Sequence, residues 1–268
     1  MSTKYWMDGI SCTQGAVSIT PDSPLCSWGE GFFETIRVQN GKAMHLSKHR
    51  DRMKRSLESH YYHSWNPHVF NRVWDTAERC GDELDHGKLR IVSSPADAEA
   101  NELRYISQLA PWTPPSAESY ERGVDLIYAT VPHPGLGQLG KSNSYHWARL
   151  GHYEAKKHGV DEVVFATGGE LIETSYASLL LKIDDDWITP RPEAGGLAST
   201  TLAALRELGV NIKARELPIG SEDEAEAMVL VSALRLVLGV RRFEDRHFKN
   251  PDAAAKPLRE LLLRGDRK

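Results

Sequence analysis

The sequence predicts an α+β protein of two domains, and three features lead there. Segments with strand alternation and segments with helical spacing both recur along the 268 residues. A stretch rich in proline and small polar residues, APWTPPSAES, interrupts them near the middle and shows neither period. Strands and helices mix before it, and strands predominate after it. We therefore expect a smaller N-terminal α/β domain over residues 1–109, a linker over 110–122 and a larger strand-rich C-terminal domain over 123–268.

In the first domain, GAVSIT at 15–20 and FFETIRVQ at 32–39 alternate apolar and polar residues and predict strands. Asn40-Gly41 is a hairpin turn signal that ends the second. Met44, Leu46, His49, Met53 and Leu57 follow helical spacing. A second helix is expected over 67–80, with Val69, Val73, Trp74 and Ala77 on its apolar side. LRIVSS at 89–94 and RYISQLA at 104–110 predict two more strands. Beyond the linker, VDLIYATV at 124–131, EVVFAT at 162–167 and AMVLVSA at 227–233 have the apolar runs of buried strands, and LIETSYASLLLKI at 171–183 has room for two. Helices are expected over about 145–158, 199–208 and 253–264.

Composition narrows the function. Apolar residues at 40% and charged residues at 26% are ordinary for a globular protein. A formal net charge of -4 gives no reason to expect nucleic-acid binding, although Lys48 to Arg55 is locally basic. No apolar run approaches the ~20 residues of a membrane span. No charged n-region leads into a long apolar stretch, so we expect no signal peptide. Cys12, Cys26 and Cys80 are widely spaced, with no metal-ligand spacing and no disulfide framework. They fit reduced thiols in a cytoplasmic enzyme that binds no metal.

One lysine invites chemistry. Lys141 follows the turn-rich PHPGLGQLG and precedes SNSYHWARLGHYEA, which turns helical. A lysine at such a junction can be held in a cleft, where desolvation or a nearby cation favours Schiff-base formation. Its neighbours in sequence strengthen this reading. Asp22-x-x-Leu25, Trp28-Gly29-Glu30-Gly31 and Phe33-Glu34-Thr35-Ile36-Arg37 come first, and His49-Arg50-Asp51-Arg52-Met53-Lys54-Arg55-Ser56 follows. After Lys141 come Gly159 to Glu162, Gly168-Gly169 and Glu173, then Thr189-Pro190 and Gly195 to Thr201. In this order, over almost the whole length, the chain resembles the fold-type IV pyridoxal-phosphate (PLP) enzymes. These include branched-chain aminotransferases, D-amino acid aminotransferases and aminodeoxychorismate lyases.

The resemblance implies a two-domain fold like that of D-amino acid aminotransferase, PLP as cofactor and a homodimer acting on a small amine. It places Lys141 as the Schiff-base lysine, which also shuttles the substrate's α-proton. It makes Arg52 the cation for the cofactor phosphate, a role that suits a bidentate guanidinium. Thr200 and Thr201 fall at the expected start of a helix, where N–H groups and hydroxyls receive an anion; an N-cap at Ser199 or Thr200 fits the same residues. Ser232 and Ala233 are implied to close the phosphate cup. Glu173 is implied to hold the pyridine nitrogen protonated, and a glutamate in an apolar strand needs such a partner. Tyr145 is implied to reach the phenolic oxygen, or else packs with Trp147.

Some positions depart from the family pattern. Ser178 stands for a common asparagine, Leu202 for an arginine, Ser199 for a glycine and Ser93-Ser94-Pro95 for an Arg-Gly pair. The Arg-x-His pair with which D-amino acid aminotransferases hold a carboxylate has no match after Val92. The chain length, the brief connections and the PLRELLLR tail resemble the lyases most. We therefore expect conversion of 4-amino-4-deoxychorismate to 4-aminobenzoate and pyruvate, with class IV transamination of branched-chain or D-amino acids as the alternative. Arg37, Arg90 and Arg104 are open candidates for binding a substrate carboxylate.

Overall fold

The alternation over 32–39 becomes β3 (Phe32–Gln39). It is the strand on which the first unit is organised. β3 turns through Asn40 and Gly41, both at positive φ, into β4 (Lys42–Ala43), as an Asn-Gly hairpin does. It pairs antiparallel with β5 (His86–Pro95), and β5 with β6 (Leu103–Pro111). β1 (Lys4–Met7) and β2 (Ile10–Cys12) complete a six-stranded sheet in the order β2-β1-β6-β5-β3-β4. The computed structural model describes residues 2–80 and 84–265.

Three helices belong to this unit: α1 (Pro24–Trp28), α2 (Leu46–His60) and α3 (Pro67–Cys80). α2 buries His49, Arg52, Met53, Ser56 and Leu57, a stripe at helical spacing. Its apolar members join Phe32, Ile36 and Val38 of β3 and Phe70, Val73 and Trp74 of α3 in one core. Glu34 lies on the same face of β3 as Phe32 and Ile36, because side chains alternate along a strand. It therefore meets α2.

Residues 15–20 do not form the expected strand. Gln14–Ala16 makes a single 3₁₀ turn and the rest is irregular, with Ile19 50% exposed. Alternation becomes a strand only where a sheet edge pairs with it, and this segment pairs with none. The strand expected over 124–131 stops at Tyr128. The proline-rich stretch over 110–122 is partly ordered structure. β6 runs to Pro111, and Ser116 caps α4 (Ala117–Arg122) by accepting from the Ser119 N–H at 3.1 Å.

The second unit is built on a nine-stranded sheet in the order β12-β11-β10-β13-β14-β7-β8-β9, with β15 beside β14. Its strands are β7 (Val124–Tyr128), β8 (Glu162–Thr167), β9 (Glu170–Thr174), β10 (Ser178–Ile183), β11 (Asp186–Pro190), β12 (Ile212–Arg215), β13 (Ala227–Ser232), β14 (Leu236–Phe243) and β15 (Arg246–His247). The segment 171–183 is thus two strands. β7 runs parallel to β8 and β14, and β11 to β12; the other pairs are antiparallel. Leu126, Val164, Leu171, Leu179, Leu230 and Val240 form the centre of the core. α5 (His146–Lys157), α6 (Thr200–Glu207) and α7 (Pro251–Gly265) fall close to the ranges expected.

The two compact units are Met1–Pro114 with Leu139–Ser144, and Pro115–Gln138 with Tyr145–Lys268. Lys141 therefore counts with the first unit. Backbone contacts fix it there: the Phe33 N–H donates to Lys141 O at 2.8 Å, and Phe32 bridges Ser142. The Asn143 amide donates to the carbonyls of Glu30 and Ser93. Among the described residues, no helix is long and apolar enough to cross a membrane.

Candidate active site

In the first unit, Lys141 is half-buried and its Nζ lies 4.7 Å from the centroid of the Phe33 ring. The Arg90 guanidinium lies over the same ring at 4.1 Å. Phe33 and Arg90 point to the sheet face opposite α2, since Phe32, Ile36, Leu89 and Ile91 take the helix side. Burial draws the Arg90 pKa down from its usual range. No carboxylate pairs with it among the described residues. Arg37 and Arg104 differ: Arg37 is buried over the Trp112 ring, and Arg104 is paired with Asp8 at 2.9 Å and with Glu102. Arg90, which is partly buried, and Lys141 thus share the Phe33 ring.

On the helix side, Arg52 is already engaged. Its Nε donates to Glu34 Oε1 at 2.7 Å and its Nη2 to Glu34 Oε2 at 2.5 Å. His49 Nδ1 donates to Glu34 Oε2 at 2.6 Å. Burial alone would raise the Glu34 pKa, but the Arg52 and His49 charges and hydrogen bonds outweigh it and hold the pKa at about 2. Burial lowers the His49 pKa, and the Arg52 and Lys141 charges lower it further against the pull of Glu34. His49 and Arg52 both donate to Glu34, and the bidentate Arg52 is its leading counter-ion. The guanidinium plane is fixed before any ligand arrives.

In the second unit, Glu173 sits in β9, whose residues are all buried. Its Oε1 accepts from the Leu197 N–H at 3.2 Å and contacts His133 Nε2 at 3.2 Å. Among the described residues, Oε2 makes no hydrogen bond. One oxygen is anchored and the other is offered. The donors come from two loops, 132–138 and 195–197, whose backbones touch. Gly137 N–H donates to Gly195 O at 2.9 Å, and a Cβ on Gly137 would lie 2.3 Å from the Gly196 backbone. Glycine is needed there for close approach.

The other expected residues also lie in this unit. Thr200 and Thr201 are buried in the first turn of α6. Ser199 is the N-cap, its hydroxyl accepting from the Leu202 N–H at 3.3 Å. Ser232 ends β13, and Ala233 follows it in the turn to β14. Arg235 of that turn pairs with buried Glu162, which also accepts from Thr174. Tyr145 is the half-buried residue preceding α5, its ring 4.9 Å from that of Trp147.

His133 went unnoticed in the sequence. A single histidine between two prolines carries no periodic signal, and only the fold brings it to Glu173. The Glu34 partnership was legible in part, because Glu34 and the His49-x-x-Arg52 helix both lie in quoted motifs; their contact was not.

In the first unit a half-buried amine and a fixed guanidinium, and in the second a helix start lined by hydroxyls and a carboxylate anchored by one oxygen, are groups of the kinds that a phosphorylated, pyridine-containing cofactor requires. Comparison with known proteins agrees. Residues 31–243 match the family model for class IV aminotransferases, and the chain belongs to that family, whose members use PLP. A hypothetical aminotransferase from Mycobacterium tuberculosis, in its PLP-bound form, has a TM-score of 0.83 at 22% identity, covering 99% of both chains. A Legionella pneumophila protein provisionally assigned as a 4-amino-4-deoxychorismate lyase has a TM-score of 0.81 at 23% identity, covering 93% of this chain and 96% of that one. The Escherichia coli branched-chain amino acid aminotransferase has a TM-score of 0.81 at 17% identity, covering 97% and 92%. No curated protein matches the sequence.

Two predictions follow from this geometry. The folded Glu34 pKa of about 2 lies below the ordinary 4.5, so its stabilisation is complete above pH 4.5 and is lost as pH falls toward 2. Glu34→Gln should remove this acid dependence, on the order of 3 kcal/mol, in urea unfolding measured across that window; an unchanged acid limb would count against it. Gly137→Ala should force the two loops apart and cost about 1–3 kcal/mol in thermal unfolding. Wild-type stability in that variant would contradict the close packing described.

Proposed function

We propose that this enzyme is a lyase converting 4-amino-4-deoxychorismate to 4-aminobenzoate and pyruvate. The observation that carries an amine-and-carboxylate substrate is the pair of cations on the Phe33 ring, Lys141 Nζ at 4.7 Å and Arg90 at 4.1 Å. An amine would be processed at Lys141, and a carboxylate would find Arg90 partly desolvated and, among the described residues, without an acidic partner. The lyase choice is supported by the missing Arg-x-His pair after Val92 and by the fold shared with the Legionella protein. Class IV transamination of branched-chain or D-amino acids is the second reading, favoured by the equal fold likeness to the Escherichia coli aminotransferase.

Bound PLP supplies an electron sink that acidifies the carbon bearing the substrate amine. In our reading Lys141 Nζ would hold the cofactor and would serve as the base for the proton on that carbon. Loss of the enolpyruvyl group from the neighbouring carbon then leaves an aromatic ring. Arg52, Thr200 and Thr201 are proposed for the phosphate, with Ser232 and Ala233 closing around it. Glu173 Oε2 is proposed for the ring nitrogen and Tyr145 for the phenolic oxygen. A homodimer is part of the reading and rests on the family resemblance.

The test supplies chorismate and an amidotransferase, and measures 4-aminobenzoate against oxo-acid formation from D-Ala or L-Leu with 2-oxoglutarate. We expect 4-aminobenzoate; turnover of the amino acids alone would overturn the lyase reading. Lys141→Ala should lose the visible band of lysine-bound PLP. Arg90→Ala should lower kcat/KM about tenfold to a hundredfold, the value of a charge-assisted hydrogen bond.

A further inference from the structure

We infer that His133 is a positioning residue for Glu173, and that a glycine amide fixes the proton it uses. The inference rests on the reading that Glu173 meets the cofactor's ring nitrogen, and deepens it. His133 is buried, its ring packed 4.2 Å from Trp147 and 5.5 Å from Phe165. Its two nitrogens have different partners. The Gly135 N–H donates to Nδ1 at 3.0 Å, and Nε2 contacts Glu173 Oε1 at 3.2 Å. A nitrogen that accepts a hydrogen bond carries no proton, so the ring is the Nε2–H tautomer and Nε2 donates to the carboxylate. A carboxylate offers no proton to imidazole, so the opposite tautomer would lose both contacts.

The consequence lies in the position of Glu173. Its Oε1 is held from two directions, by His133 and by the Leu197 N–H. With that oxygen pinned, rotation of the carboxyl group is blocked and Oε2 keeps one direction. A pyridinium nitrogen needs such a fixed partner. The aromatic walls of Trp147 and Phe165 hold the imidazole plane, so His133 loses little freedom when the cofactor binds.

Two amide variants separate this role from a loop-building one. The glutamine amide nitrogen reaches about as far as imidazole Nε2, so His133→Gln keeps the donor to Glu173 and drops the Gly135 bond. His133→Asn does the reverse, its shorter side chain accepting from Gly135 and falling short of Glu173. PLP is titrated into the cofactor-stripped enzyme and followed by absorbance. We expect His133→Asn to weaken PLP binding about tenfold, the value of one hydrogen bond, and His133→Gln to stay within about threefold. In a Glu173→Gln background, His133→Asn should bring no further loss. In the wild-type apoprotein, ¹⁵N NMR of the His133 ring should show Nε2 protonated and Nδ1 bare. The reverse order of the two variants, or the Nδ1–H tautomer, would overturn the inference. So would His133→Asn binding PLP like wild type while Glu173→Gln is weakened, an outcome that leaves the Glu173 reading standing. If Glu173→Gln itself binds PLP unchanged, the Glu173 reading falls and takes this inference with it.

Discussion

A carboxylate buried in a sheet has to be met by donors, and this requirement shapes both units. Glu34 in β3 is met by Arg52 and His49 of α2. Glu162 at the start of β8 is met by Arg235 and Thr174. Glu173 in β9 is met by Leu197 and His133. In each case the strand supplies the acid, and a helix, turn or loop is held against it to supply the donors. Left unpaired, such an ion would cost several kcal/mol of stability. The segments that carry the donors are therefore bound to the sheets by more than apolar packing.

The three pairs differ in what they leave over. Glu34 uses both oxygens, and the product of that pairing is a rigid guanidinium. Glu162 also uses both, and it steadies the turn after Ser232. Glu173 uses one. A stabilising network that stops one bond short presents a fixed, charged oxygen, and a ligand with an N–H can complete it. The same logic applies to Arg90, a partly buried cation that shares the Phe33 ring with Lys141 and has no acid paired with it among the described residues. Burial is costly at both positions, and a bound ligand would offset it. This is how stability and function divide the polar groups of the two sheets.

Glycine does for the loops what the donors do for the acids. Gly137 and Gly195 let two backbones approach more closely than any side chain would allow. That approach brings the Leu197 amide to the strand from one loop while His133 arrives from the other. The turn-rich character of PHPGLGQLG is thus a requirement of Glu173 as much as of Lys141, which it precedes.

The sequence by itself determined the family and most of the elements. The ordered motifs from Phe33 to Thr201 are local patterns, and helices such as α2 and α3 follow from spacing that repeats every turn. Strands were legible where they alternate inside a paired sheet, as in β3, or run apolar through a buried one, as in β8, and alternation was misleading at 15–20, where no edge was available. The short strands β1, β11 and β12 gave little signal, because each is only four or five residues long. Lys141, Arg52 and Glu173 could be named from their motifs. Only the tertiary structure decided that Arg90 and Lys141 share the Phe33 ring, how Glu34 fixes Arg52, and that His133 holds Glu173. Those are contacts between residues 15 to 108 positions apart, and no local period records them.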